Sequence, residues 1–485
     1  MTLTRTPWQI VTEAENSEFV GLLGKHPSWA RVALGDIADI LNGAAFSSRY
    51  FNADADGLPL IRIRDVGVNN PSTYYNGPYD PGYLISSGDI LVGMDGDFRV
   101  AQWLGPKGLL NQRVCKISVQ DESRYSSRFL QFILQGYLDA IWSETSSITV
   151  KHLSSRTIAD IPLPLPPIRE QERIVAALED HLSRVDAATR ILGDVSRRLR
   201  KLRDQVIVAG CTGVIFQSEK RLVSSLPSVG LSDGSLPSIP RSWRWARLYE
   251  VADVVGGIAK DSKKQADSQL QDVPYLRVAN VQRGHIDLSN VATIKASKKK
   301  IEQLALRSGD VLLNEGGDRD KLARGWVWEG QIPLCIHQNH VFRARIRDDI
   351  LDPKILAWHA NSFGKTWAEA NGKQSVNLAS ISLSKIRLLP VPIPPKADQT
   401  IVVDWVEEQL DGVKRLMDIV SYTENRATRL RRSVLTEALA GNLVLQDSTD
   451  EPAYVLLERI RAGRAVQGKP KRTRRTQNAN QETLL

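Results

Sequence analysis

Cysteine is scarce. Cys115, Cys211 and Cys335 are odd in number and far apart, which excludes a disulfide framework. A reducing compartment is the expected setting. Long apolar runs are also missing: no stretch approaches the ~18–20 residues of a membrane helix. No apolar segment with basic flanks opens the chain, so a cytoplasmic protein with no membrane association is expected. Catalytic signatures are lacking as well. The Asn-Pro-Pro-aromatic tetrapeptide of amino-methyltransferases does not occur; Asn69-Asn-Pro-Ser72 reads as a turn. No Gly-rich loop with a following Lys-Ser/Thr is present to cradle a nucleotide. A metal nuclease needs an acid two residues before its lysine, and at Lys321 that place is held by Arg319. Glu315, Asp318 and Asp320 therefore read as loop acids.

What is present is ordinary for a globular protein: 42% hydrophobic and 25% charged residues in 485, with 64 basic and 55 acidic side chains and a net charge of +9. That balance permits a nucleic-acid partner without demanding one. The length fits about three domains.

The chain is written twice. Ile161-Pro-Leu-Pro-Leu-Pro-Pro167 returns as Leu389-Pro-Val-Pro-Ile-Pro-Pro395, and Glu170-Gln171 returns as Asp398-Gln399. Leu202-Arg203 and Val206 match Leu430-Arg431 and Val434, and Gly213 matches Gly441. The separation is constant from the prolines to the glycine, as expected of a rigid element. Upstream the repeat is looser. Ile37-Ala-Asp-Ile40 matches Val251-Ala-Asp-Val254, Pro59-Leu-Ile-Arg62 matches Pro274-Tyr-Leu-Arg277, and Ser87-Gly-Asp-Ile-Leu91 matches Ser308-Gly-Asp-Val-Leu312. Here the separation drifts, so insertions fall between strand-like pieces, as loops do on a shared scaffold.

Each half begins with short β-rich runs broken by Gly, Asp, Asn and Pro, with helical stretches near Phe129–Leu138 and Ile355–Asn361. Ile61-Arg-Ile-Arg64 and Leu276-Arg-Val278 alternate like half-buried strands. The prolines suit a helix entrance. Beyond them apolar residues recur at coiled-coil spacing: Leu178, Leu182, Val185, Leu192, Val195, Leu199, Leu202 and Val206, then Val402, Val406, Leu410, Val413, Met417, Val420, Leu430 and Val434. About forty residues at ~1.5 Å give a rod of ~60 Å, with Gly213 and Gly441 as its stops. Both helices open acidic (Glu170, Glu172, Glu179, Asp180; Asp398, Asp404, Glu407, Glu408) and close basic (Arg197, Arg198, Arg200, Lys201, Arg203; Arg426, Arg429, Arg431, Arg432). Antiparallel pairing sets acid beside base at both ends. It would also put one globular domain at each end of a rod, about an approximate two-fold axis.

The expected fold class is thus α+β: two mixed α/β domains separated by an antiparallel two-helix coiled coil, with an internal pseudo-two-fold repeat. The expected segments are 1–26 at the N-terminus, 27–160 as the first domain, 161–215 as the first helix and 216–240 as a Ser/Pro/Gly-rich linker. They continue with 241–388 as the second domain, 389–445 as the second helix and 446–485 as a basic, solvated tail.

This pattern resembles the specificity subunit of Type I restriction–modification enzymes. The resemblance covers about residues 27–445, and it is carried by the twice-occurring proline run with acid-Gln and by the Ser-Gly-Asp-Ile/Val-Leu strand entry. Thr400 in place of Glu172, and Gly210-Cys211 against Ala438-Leu439, depart from strict repetition in the helices alone. The resemblance implies target-recognition domains that each read one half of a split, asymmetric DNA sequence, with the helices as a ruler. It implies as partners double-stranded DNA, two methyltransferase subunits and two motor-nuclease subunits. No cofactor is expected in this chain; the partner subunits would use S-adenosylmethionine, ATP and Mg²⁺.

Against that background three groups per half have DNA-contact chemistry. Asn and Gln can bond both atoms of an adenine edge, Arg both acceptors of guanine, and acids can accept from cytosine. The first group is Asp95, Asp97 and Arg99, with Asn314 and Arg319 in the second half. The second is Asn111, Gln112 and Arg113, matched by Gln338, Asn339 and His340. The third precedes each proline run: Thr149, Lys151 and His152, then Lys373, Gln374, Ser375 and Asn377. For each residue a solvated loop side chain is the competing reading. Arg62 and Arg277 read equally as structural ion pairs. Cys335, His337 and His340 have metal-ligand chemistry, but on a strand only the first two share a face. The matching Asn111-Gln-Arg113 has neither thiol nor imidazole, so no metal site is expected. Two other readings stay open: a protein-interaction scaffold, and a self-sufficient nuclease or methylase.

Overall fold

The computed structural model describes residues 5–15, 21–144, 152–216, 221–222, 226–261, 269–317, 321–374 and 379–467. They form two compact units, 1–191 with 424–485, and 192–423. Each long helix contributes one part to each unit.

Apolar runs buried along their length make the central strands: Ile90–Gly93 in the first unit and Val311–Asn314 in the second. Each lies in a four-stranded antiparallel sheet of the same order. The first runs Ala38–Asn42, Val114–Val119, Ile90–Gly93, Val100–Gln102. The second runs Ala252–Gly256, Val341–Ile346, Val311–Asn314, Gly325–Val327. A second sheet in each unit contains one parallel pair, Leu60 with Leu109 and Tyr275 with Ile336. Buried Trp103 and Trp328 occupy matching places, each donating its backbone N–H to an aspartate carbonyl, Asp89 or Asp310. The helix Ser127–Glu144 buries Phe129, Leu130, Ile133, Leu134, Tyr137, Leu138 and Ile141, the stripe expected of a helix on a core. Its counterpart Pro353–His359 runs through a π turn, Ala360–Gly364, into Lys365–Asn371.

The two runs expected as strands, 61–64 and 276–278, lie at and beyond the ends of the strands that form. Leu58–Ile61 ends before Arg62 because the Asp65 carboxylate accepts from the Arg62 N–H at 2.9 Å and folds Ile63–Asp65 into a 3₁₀ turn. Asn280 does the same to Arg277 at 2.9 Å, ending Gln271–Leu276. The two arginines bond Thr73 and Asn290, neutral partners, and among the described residues neither makes the ion pair considered for it.

The proline runs form strands. Pro162–Leu165 pairs antiparallel with Ala30–Ala33, and Pro390–Ile393 with Arg244–Arg247. A proline at every second position removes the outward-facing donors, so the outer edge keeps only carbonyls. Side chains take these up. Pro162 O accepts from Arg31, Pro164 O from the Tyr125 hydroxyl and Pro166 O from Gln171 Nε2. In the second run His359 Nε2 donates to Pro390 O and Gln399 Nε2 to Pro394 O.

The long helices are Ile168–Cys211 and Lys396–Leu439. Both stop at a left-handed glycine, Gly213 at φ +65° and Gly441 at φ +76°. The N–H of the residue after each glycine reaches back to Ala209 O or Glu437 O at 2.9 Å, closing the terminus. Within the first unit the start of the first helix meets the end of the second: Leu178 and Leu182 share a core with Val434, Leu435, Ala438 and Leu439, and Asp186 pairs with Arg431 at 2.5 Å. Within the second unit the order is reversed. Leu199 packs with Val413 and Val420, and Val206 shares a core with Val402 and Val406. The pairing is therefore antiparallel in both units. Gly210 explains one departure from the repeat, since a Cβ there would lie 2.3 Å from Val406 Cγ2. Leu202 and Leu430, placed on the seam by spacing, are 43% and 51% exposed and lie off it.

Two outer segments differ from expectation, and the N-terminal one joins the first core. The helix Pro7–Glu15 buries Ile10 and Val11 in the first core. The supposed linker packs on the second core through Leu226, Leu231 and Leu236, and its Asp233 pairs with buried Arg247 at 2.8 Å. The supposed solvated tail contains the helix Ala453–Gln467, which buries Leu456 and Ile460 against the first core. Asp450 before it pairs with Arg173 at 2.7 Å, Arg459 with Glu451, and Arg464 with Asp36. Apolar residues spaced three and four apart, Ala453, Leu456 and Ile460, outweigh the basic composition there.

Candidate nucleic-acid interface

In each unit the segments carrying the three residue groups meet at one edge. In the first, the Met94 N–H donates to Arg113 O at 2.8 Å and the Leu153 N–H to Met94 O at 2.7 Å. Asp95 forms a β-bridge with His152. Asp95, Arg113 and His152 then touch through their side chains. His152 Nδ1 lies 2.6 Å from Asp95 Oδ1, Arg113 Nη1 lies 3.1 Å from His152 Nδ1, and Arg113 Nε lies 3.5 Å from Asp95 Oδ2. Asp97 is exposed at the loop tip, and Gln112 is exposed beside Arg113. Arg99 lays its stem beside Gly67. Trp142, which no motif singled out, donates its indole N–H to Gly96 O at 2.8 Å and braces this loop.

The second edge has the same frame. The Glu315 N–H donates to His340 O and the Ile381 N–H to Glu315 O, both at 2.9 Å. Gly316–Gly317 pairs with Ala379–Ser380, and that strand pairs with Lys373–Gln374. Glu315 is not the idle loop acid expected: its Oε2 accepts from His340 Nδ1 at 2.6 Å. His340 Nε2 in turn lies 3.3 Å from Asn339 Nδ2. A carboxylate only accepts, so Nδ1 carries a proton toward Glu315, and Nε2 faces the Asn339 amide.

Two candidates do not reach the edge. Asn314 is fully buried, and its amide donates to Val281 O at 2.9 Å and toward Val278 O. It is a bracket inside the second unit, a correction to the expected contact. Asn111 is 8% exposed, and its Oδ1 accepts from the Gln112 N–H at 2.9 Å, which shapes the turn rather than facing out. Gln338 is half-buried at the matching bridge position, with Ile258 as its neighbour. Lys373 is exposed, while the Gln374 side chain, Thr149, Lys151, Arg319, Ser375 and Asn377 lie outside the described residues.

The suspected metal ligands are dispersed. Cys335 is buried and its thiol pushed up to about 12 by burial. His337 is held neutral, pushed down to about 4 by burial, and donates from Nδ1 to Val341 O. His340 belongs to the edge. Among the described residues no group of three or more His, Cys, Asp or Glu is placed to hold a metal, and no helix is long and apolar enough to cross a membrane.

The acid-Gln pair seats each helix on its domain. Gln171 Oε1 accepts from the Ser126 N–H and Glu170 from the Trp29 indole at 2.9 Å. Gln399 Oε1 accepts from the Asp352 N–H and Asp398 from the Trp243 indole at 2.8 Å. The tryptophans are a repeat the motif search missed; Ser28-Trp29 and Ser242-Trp243 were there to be matched.

Two domains of one design, each with a charged and polar edge on a shared hydrogen-bond frame and joined to one of two matching long helices, define a repeat protein of two like domains. Comparison with known proteins agrees. A family model described as the Type I restriction modification DNA specificity domain matches residues 27–195. The EcoBI specificity subunit of Escherichia coli is 34% identical over 465 residues, covering 94% of this chain and 96% of its own. The EcoDI specificity subunit of Escherichia coli is 23% identical, covering 93% and 99%. A solved chain from a study of complex assembly and conformational transition of the type I R-M system has the same fold, with a TM-score of 0.57 at 19% identity over 86% of this chain and 99% of that one. The chain belongs to the specificity subunits of Type I restriction enzymes, whose role is recognition and not catalysis.

Proposed function

We propose that the chain reads a bipartite, asymmetric DNA target, one half with each edge, and that the paired helices fix the gap between the halves. The observation that carries this is the pair of edges. Each gathers three sequence-remote segments by backbone bonds, yet Asp95, Arg113 and His152 at one differ from Glu315, Asn339 and His340 at the other. Unlike readers on like frames imply unlike half-sites, and a stiff helix pair suits half-sites about one helical turn, ~34 Å, apart. Family membership supports assembly with two methyltransferase and two motor-nuclease subunits, which would bring S-adenosylmethionine, ATP and Mg²⁺.

The test is binding of the full chain to a pool of randomised duplexes at several salt concentrations. Affinity should fall linearly on a log–log plot, by about 0.9 per phosphate contact. The enriched duplexes should share one split, non-palindromic motif. Absence of enrichment together with salt-independent binding would favour a protein-interaction scaffold. Turnover of DNA by the purified chain alone would favour an enzyme.

A further inference from the structure

We propose that Arg113 identifies a guanine for the first domain and that Asp95 is its positioning residue. This rests on the reading of the edges as DNA-contacting surfaces. Arg113 is the third residue of a tight turn, Asn111 to Val114, closed by the Val114 N–H on Asn111 O at 3.2 Å. Its φ is +73°, at a turn position that favours glycine. The backbone holds it there, since Arg113 O is fixed by the Met94 N–H at 2.8 Å. The matching turn of the second unit, Gln338 to Val341, needs no such conformation at His340. A large side chain is therefore kept where a glycine would fit more easily.

The surroundings say what that side chain does. Asp95 Oδ1 accepts a hydrogen bond from His152 Nδ1 at 2.6 Å, and Asp95 Oδ2 faces Arg113 Nε at 3.5 Å. Arg113 Nη1, 3.1 Å from that protonated nitrogen, finds no acceptor in it. The stem is thus steered while the fork keeps its donors, on a side chain that is 55% exposed. A donor-only fork needs two adjacent acceptors. Among base edges in the major groove, O6 and N7 of guanine supply them; adenine and cytosine present a donor. Phosphate oxygens offer the same pair, but Asp95 at the guanidinium and exposed Asp97 in the same loop repel an anion.

The experiment selects bound duplexes from a randomised pool with the full chain as wild type, Arg113→Ala, Arg113→Lys, Asp95→Asn and Asp95→Glu, with thermal unfolding as the check on folding. Wild type should enrich a guanine at one position of one half. Arg113→Ala should lose that preference alone, with a roughly 5- to 150-fold drop on the best wild-type duplex. Arg113→Lys should keep general affinity and lose discrimination. Asp95→Asn should keep guanine as the favoured base with weaker discrimination, and Asp95→Glu should restore part of it. An equal loss on all duplexes with the guanine preference intact would make Arg113 a phosphate contact and overturn the proposal. Changes in both halves, or none, would overturn it too. Wild type enriching no sequence is a separate failure, that of the DNA reading beneath it.

Discussion

The two edges share a backbone and differ in side chains. A carboxylate–imidazole pair occurs at both, but it is assembled differently. In the first unit the acid, Asp95, lies one residue past the frame position and the ring, His152, comes from the third segment. In the second the acid, Glu315, is the frame residue itself and the ring, His340, comes from the turn. The frame depends on N–H and C=O groups, which every residue but proline supplies. The side chains around it can therefore change without loss of the fold. The two halves of one chain can then face two different sequences.

The largest expected difference between the units is acid lability. His337 and His359 are both buried in the second unit, each pushed down to about 4 by burial. The first unit buries no histidine among its described residues. An imidazole of folded pKa near 4 and unfolded pKa near 6.5 favours the folded state fully above pH 6.5. That contribution is lost as pH falls toward 4, because the unfolded chain binds the proton first. The loss is on the order of 3 kcal/mol for each ring. Hydrogen exchange followed from pH 7 to pH 4 should therefore show the second unit losing protection first. Equal loss in both units would remove the contrast.

The next contrast is the helix seat. Gln171 satisfies the Ser126 N–H and Pro166 O, while Gln399 satisfies the Asp352 N–H, Ile350 O and Pro394 O. Each orphaned buried group costs about 1–3 kcal/mol. Gln171→Ala should lower stability by roughly 2–4 kcal/mol, and Gln399→Ala by about 1 kcal/mol more, as read from denaturant midpoints. A smaller effect at Gln399 would mean that water replaces its third bond.

Much of this was legible in the sequence because it is written twice. A proline run, an acid-Gln pair and a terminal glycine at constant separation disclosed the helices, their seats and their stops. Opposed charge along each helix disclosed the antiparallel pairing. Asn314 was misread because its amide chemistry is the same whether it faces a base or a buried carbonyl, and only burial distinguishes them. Glu315 was set aside because its partner His340 is remote in sequence and meets it across two strands. The tail was misread because eight basic residues on and after one helix hid its apolar stripe, which a contact with the first core makes decisive.

The smallest expected effect concerns the helix pair itself. In the first unit it carries the Asp186–Arg431 ion pair, whose side chains are 58% and 42% exposed. In the second unit Leu199, Val413 and Val420 make an apolar contact between the helices. An exposed ion pair gains little in water and costs side-chain entropy, so Asp186→Ala should lower stability by no more than about 0.5–1 kcal/mol. The same change should vanish in high salt, where the Debye length shrinks to ~3 Å at 1 M. Leu199→Ala removes buried apolar volume and should cost about 2–5 kcal/mol with little salt dependence. Charge opposition then chooses the direction in which the helices pair, and apolar burial holds them together. A salt-insensitive loss at Asp186 equal to that at Leu199 would assign both tasks to the charges.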